Sequence, residues 1–214
     1  MQNARQAIRR LKQADPVLRR AIEEIGPFRQ EQVRNRFGAL AVAILHQQLA
    51  TKAAQTITAR FCRLYGQNGR ARLPTPEALL RTSRRKLRAA GLSRQKIRYL
   101  RDLSRKVAGG AVPLARLGRM GDEEVIAALT QVKGIGRWTA EMFLIFSLGR
   151  PDVWAVDDLG LQLAVKQLYG LRNHPSGQKM QRIAEPWRPY RSVASWYLWQ
   201  SRRRILGVPS ASPG

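Results

Sequence analysis

The spacing of apolar and polar positions along this chain is helical almost throughout. Phe37, Leu40, Ala41, Ile44 and Leu45 fall at i, i+3, i+4, i+7 and i+8, which lines one face of an α-helix. Ala54, Ile57, Phe61 and Leu64 form a second such face behind Thr51, which reads as its cap. Ile97, Leu100, Leu103 and Val107 form a third behind Ser93. Asp15-Pro16 reads as an N-cap followed by proline at the first helical position, and Gly26-Pro27 as the stop. Ser83 opens a short helix ending at Gly91, Gly109-Gly110 ends the helix begun at Ser93, and Asp122 starts one that stops near Val132. Arg137 to Leu148 is apolar nearly all round, which predicts a central, buried helix. Asp157 or Asp158 opens a helix reaching Gly170, and two more come after it near Gly177–Glu185 and Tyr190–Ile205. Gly66 to Pro76 reads as a loop and Pro209 to Gly214 as a disordered tail. With no run of alternating strands and no internal repeat, the pattern predicts an all-α fold.

Charge adds a partner to this picture. Lys and Arg total 39 against 14 Asp and Glu in 214 residues, a formal charge of +25. Such an excess works against the compact state by self-repulsion. It points to a polyanion, whose counterions are released when its phosphates are neutralised. A genome rich in Arg and Ala codons accounts for part of the excess but not for the scarcity of acids. A membrane surface would also attract basic residues, yet no apolar run approaches the ~20 residues of a span. The single cysteine, Cys62, excludes a disulfide framework, a Cys-rich zinc site or an iron–sulfur cluster within one chain. With only two histidines, no metal site is expected. Met1 to Arg10 lacks the apolar core of a secretory signal. The expected location is therefore the cytoplasm, near the nucleoid, or a nucleus.

The most informative stretch is Leu129 to Ala140, which reads as a helix, a tight Gly134-Ile135-Gly136 turn and a second helix. The glycines let the backbone turn sharply and leave amide N–H groups at the second helix's start free to face a phosphate. Lys133 and Arg137 flank the turn with positive charge. On Gly-x-Gly alone, an ordinary helical hairpin is the better reading. Gly149, Pro151 and the pair Asp157-Asp158, all C-terminal to the second helix, shift the balance away from it.

In this order the residues resemble the helix-hairpin-helix DNA glycosylases, and most closely their alkylation-repair branch, DNA-3-methyladenine glycosylase II. Val132 to Ala140 is similar to that branch's hairpin, Pro151 to Gly160 to its catalytic loop and Leu45 to Ala54 to its DNA-wedge segment. Ala90 to Lys96 and Trp187 to Ser192 also match in order, so the resemblance covers roughly residues 15 to 205. It implies a two-lobed helical fold with DNA in the cleft between the lobes. One lobe would be discontinuous (1–36 plus 150–208) and the other (37–149) would carry the hairpin. The extra N-terminal β-rich domain of longer bacterial relatives would be missing.

The resemblance also implies roles. Asp158 would be catalytic, because breaking an N-glycosidic bond builds positive charge on the sugar that a carboxylate stabilises. Capping a helix is the plainer role for such an aspartate, and the pair would divide the work, with Asp157 as the cap. Trp138 stands where bifunctional relatives carry a lysine nucleophile, which implies hydrolysis without strand cleavage. Trp138, Met142 and Trp199 would form the base pocket, where a cationic alkylated purine gains from stacking on indole. Met142 stands where the branch usually has tyrosine. Trp187 reads as core, and Trp154 and Trp196 could be core or pocket. Gln48 or Leu49 would be the wedge that fills the gap left by a flipped base, or simply a polar helix end beside a core leucine. His46 reads as structural. Lys133, Gly134, Gly136 and Arg137 would hold one phosphate. Ser93, Arg94 and Lys96 would hold a second, or form a capped, solvated basic helix. Arg202-Arg203-Arg204 reads as solvated or phosphate-facing.

The implied partner is double-stranded DNA containing damaged bases, bound by a monomer. No organic cofactor is implied, and the resemblance allows a monovalent cation at the hairpin carbonyls. Two alternatives remain: a helix-hairpin-helix glycosylase for another damaged or mismatched base, and a non-catalytic DNA-binding module.

Overall fold

The structure, a computed structural model, describes residues 4–66 and 70–206. The tail expected to be disordered lies outside the described residues. Every element among them is helical: α1 (Ala4–Ala14), α2 (Pro16–Ile25), α3 (Arg36–His46), α4 (Thr51–Arg63), α5 (Pro76–Arg81), α6 (Arg84–Ala89), α7 (Arg94–Ala108), α8 (Asp122–Thr130), α9 (Arg137–Phe146), α10 (Leu159–Leu168), α11 (Gly177–Ala184) and α12 (Arg191–Ile205). No described helix is long and apolar enough to cross a membrane.

The chain divides into two units, Met1–Gln32 with Leu144–Gly214, and Val33–Phe143. The sequence put these divisions at 36/37 and 149/150, a few residues later in each case; the second falls inside α9 rather than after it.

In the first unit α12 packs on α10 and α2, and α1 packs on α2. Its hub is Asp15. Oδ1 caps α2 by accepting from Val17 N at 2.8 Å and Leu18 N at 3.0 Å. Oδ2 accepts from Tyr169 Oη at 2.5 Å and Trp187 Nε1 at 3.0 Å. Burial, and then the bond to this carboxylate, push the Tyr169 hydroxyl far above its usual range, so it stays a donor. Trp187 is fully buried, edge-on to Trp154 with ring centroids 5.3 Å apart. Trp154 thus belongs to the core, which settles one of the two open tryptophans.

In the second unit α3 packs on α4 and α7, and α5 and α6 pack on α7. The α3 face predicted from spacing is the buried one. Three readings need correction. Thr51 is the first residue of α4 and Ala50 occupies the cap without a side-chain bond. Leu64 lies beyond the helix and is exposed, since that face ends at Phe61. The stretch read as a loop up to Pro76 leads into α5, capped by Thr75 with Pro76 at its first position.

Candidate functional site

In the first unit the loop before α10 is held by the start of α12. Asp152 accepts from Arg191 at Oδ1 (Nε, 2.8 Å) and Oδ2 (Nη2, 2.9 Å). Ser192 Oγ accepts from Val153 N at 2.9 Å, and Ser192 N donates to Pro151 O at 3.0 Å. This clamp ends at Asp158. Its Oδ1 caps α10 by accepting from Leu161 N at 2.7 Å and also accepts from Trp199 Nε1 at 2.9 Å. Asp158 as a residue is 8% exposed, whereas Asp157 is exposed. The division of labour expected for the pair is therefore wrong: Asp158 itself is the cap. The two roles are compatible, because the cap bond fixes the carboxylate's position in advance.

Gly160 makes room for this arrangement. A Cβ there would stand 3.0 Å from Asp158 Oδ1 and 3.3 Å from the Trp199 ring. Trp199 stacks on Phe146 with centroids 5.6 Å apart and 29° between planes. Both rings border a cavity of about 390 Å3 that Trp196, Gln30, Arg202 and Arg203 also line. Trp196, the other open tryptophan, is wall as well as core, since it packs edge-on against Phe28 and Tyr197, 4.9 Å from each.

The second unit holds the hairpin. Gly134 has φ 84°, and a Cβ there would lie 2.2 Å from the Tyr99 ring, so this glycine is demanded by fold. Its carbonyl accepts from Gln47 Nε2 at 2.6 Å. Gly136 differs: nothing lies within 4 Å of a Cβ there, so it faces open space beside the start of α9. Asp102 on α7 braces the turn, its Oδ2 accepting from Lys133 N at 2.8 Å and Lys106 Nζ at 2.7 Å. Burial alone would raise the Asp102 carboxyl, but these bonds and the two lysine charges outweigh it and hold the group below its usual range.

The predicted phosphate ligands divide. Lys133 and Arg94 are exposed. Arg137 is bound to Glu123 (Nη1–Oε2, 3.0 Å) and to Glu141 (Nε–Oε1, 3.2 Å), so its charge is not free in the way the sequence suggested. Ser93 caps α7 by accepting from Lys96 N at 3.1 Å. Lys96 turns inward, Nζ donating to Leu45 O at 2.5 Å. Burial, and then Lys96, hold His46 below its ordinary value, so the imidazole is neutral near pH 7; its Nε2 meets Thr58 Oγ1 at 3.1 Å.

Trp138, 49% exposed, and Met142 border one cavity of about 560 Å3, together with Gln48, Tyr99 and His46. Gln48 has φ 55°, a left-handed conformation rare for any residue but glycine, and it and Leu49 are both exposed just past the end of α3. The third expected pocket residue, Trp199, lies in the first unit with Asp158.

One unit thus holds a helix, a glycine turn and a helix, and the other a buried aspartate that closes a Pro/Asp loop. The chain belongs to the HhH-GPD superfamily of base excision DNA repair proteins, whose family model matches residues 41–189. It is 37% identical over 178 residues to DNA-3-methyladenine glycosylase 1 of Schizosaccharomyces pombe, covering 83% of this chain and 77% of that one. It spans only 58% of the length of a Bacillus subtilis relative to which it is 36% identical over 167 residues. Among solved structures, it is similar to the S. pombe 3-methyladenine DNA glycosylase in complex with abasic DNA, with TM-score 0.82, 34% identity and coverage of 92% of this chain and 97% of that one. A DNA-3-methyladenine glycosidase from Bacillus halodurans gives TM-score 0.82 at 39% identity, covering 94% and 91%.

Proposed function

We propose that this protein is a monofunctional DNA glycosylase that excises alkylated purines, of the 3-methyladenine and 7-methylguanine type, from double-stranded DNA. The observation that carries the reading is Asp158, a nearly buried residue whose carboxylate is pinned by a backbone N–H and an indole N–H at the end of a clamped loop. The relatives' names give the same reaction class.

In this reaction the bond between the sugar C1′ and the base nitrogen breaks, and its electron pair leaves with the base. An N-alkylated purine is cationic, so it departs as a neutral molecule. Positive charge grows on the sugar, and a carboxylate fixed beforehand stabilises it without reorganising. Water then adds at C1′ and loses its proton to the carboxylate. By the resemblance, Trp138 stands where bifunctional relatives carry the Schiff-base lysine, which favours hydrolysis that leaves the strand whole. The exposed Trp138 and Met142 offer stacking surface to a base, and Gln48 or Leu49 the wedge. Gly136, Lys133 and Arg94 would meet phosphates of the DNA, and a single chain suffices. No organic cofactor enters. Of the hairpin carbonyls, Gln131 O accepts from Lys106 Nζ and Gly134 O from Gln47 Nε2, and no step runs through a cation.

The test is a methylated duplex incubated with the protein, then chromatography of free bases and electrophoresis of the strands. The expected result is free 3-methyladenine or 7-methylguanine and strands that break only after alkali. Breakage without alkali would contradict hydrolysis alone, and intact DNA with no free base would contradict the activity.

A further inference from the structure

The last turns of α12 carry charge that the first unit does not neutralise. Arg202 and Arg203 line the cavity beside Trp199, and Arg29, from the irregular stretch between α2 and α3, lines it too. Among the described residues, none of these three guanidiniums bonds a carboxylate or a carbonyl. Their neighbours differ: Arg188 and Arg191 hold Asp152, and Arg204 Nη1 donates to Glu24 O at 2.6 Å. No described acidic residue lines the cavity, so three like charges share one opening with the Trp196, Trp199 and Phe146 rings. Like charges gathered in this way work against the compact state unless an anion joins them.

We propose that Arg29, Arg202 and Arg203 seat a phosphate flanking the nucleotide whose base is released, so that the ligand is a phosphodiester of the damaged strand. The inference rests on the glycosylase reading. Trp199 gives the placement: its ring borders the cavity, and its Nε1 donates to Asp158 Oδ1 at 2.9 Å. In that reading Asp158 acts at the sugar C1′, and the same sugar carries the two flanking phosphates. Arginine fits such a seat because its planar fork meets two phosphate oxygens at once. The phosphate also answers an electrostatic conflict. Three positive charges one indole away from Asp158 would oppose the cation growing on the sugar, and an anion seated among them offsets that field.

The test removes charge from the protein and from the DNA in turn. Duplexes carry a stable abasic analogue with ordinary linkages, or with one neutral methylphosphonate on its 5′ or its 3′ side. Affinities of the wild type and of Arg202→Gln/Arg203→Gln are measured by fluorescence anisotropy across a salt series. The expected result is that one of the two neutral linkages weakens the wild type about tenfold and the double variant no more than about twofold. On the unmodified duplex the double variant should show a salt slope shallower by about one. Equal losses in both proteins for both linkages, or an unchanged slope, would overturn the inference and leave the arginines as a solvated face. If the double variant fails to fold by thermal melting, Arg29→Gln, on another segment, is read in the same comparison. Base release from a methylated duplex is measured alongside. A wild type that releases no base overturns the glycosylase reading and takes this inference with it. Equal losses with an active wild type overturn the inference alone.

Discussion

Asp158 and Gly160 make the site's demands visible one atom at a time. Gly160→Ala would drive a Cβ to 3.0 Å from Asp158 Oδ1 and into the Trp199 ring, so carboxylate or indole must shift by a few tenths of an ångström. Base release should fall roughly tenfold with DNA affinity unchanged, a split that single-turnover kinetics and a binding titration would record. Asp15 is the structural counterpart. Asp15→Ala would leave the Tyr169 hydroxyl and Trp187 Nε1 without their acceptor and α2 without its cap. Adding a lost cap to two orphaned donors, the loss in stability should be about 3 kcal/mol or more, measurable by urea unfolding. The sequence made Asp15 legible as a cap, because that role is local. Its partners Tyr169 and Trp187 were not legible, since they come from the far end of the chain. The same limit hid the clamp of Asp152 on Arg191 and Ser192. Both segments stood out in sequence, but nothing in the spacing says that residues 39 apart meet. The adjacent pair Asp157-Asp158 misled for another reason: neighbouring aspartates are equally good caps on paper, and only backbone direction chooses between them.

At the scale of elements, caps and glycine stops read well because each depends on a few consecutive residues. Ser83, Ser93 and Asp15 all cap as the sequence indicates. α5 was hidden by its own signals, since a Thr-Pro start next to Gly-, Arg- and Pro-rich sequence looks like more loop. α1 carries a weak sequence signal, because only Ala7 and Leu11, four apart, are buried in it. The hairpin offers a comparison of two glycines with opposite demands. Gly134→Ala must displace Tyr99 and adopt φ 84°, so it should destabilise the protein and abolish DNA binding together. Gly136→Ala meets nothing, so its melting temperature should match wild type, and weaker DNA binding would then report a phosphate approaching from outside. The brace on this turn titrates. The folded-state value of Asp102 lies below its ordinary 3.8, so its stabilisation is complete above that pH and disappears as the pH falls through the lower folded value. Asp102→Asn should therefore flatten the acid limb of unfolding below about pH 4, seen by circular dichroism across a pH series.

For the whole molecule, charge is the property that sequence alone made plainest. A chain of +25 whose affinity comes largely from phosphate contacts should lose roughly 10³-fold or more in DNA binding between 50 and 200 mM salt. A flat salt dependence, read by fluorescence anisotropy, would mean that the excess charge serves something other than DNA. What composition overstated is how much of that charge is free. Arg137, Lys96 and Lys106 are bound to groups within the protein, and only the structure separates such cations from those, like Lys133 and Arg94, that stand exposed.

The central claim is that Asp158 is chemical and not only a cap. Its most direct test is Asp158→Asn, assayed side by side for DNA affinity and for single-turnover release of alkylated bases. Asparagine keeps an oxygen to accept from Leu161 N and Trp199 Nε1, so fold and affinity should stay within a few-fold of wild type while release falls roughly 100-fold or more. A variant that releases bases at the wild-type rate would contradict the account and leave Asp158 as the cap of α10.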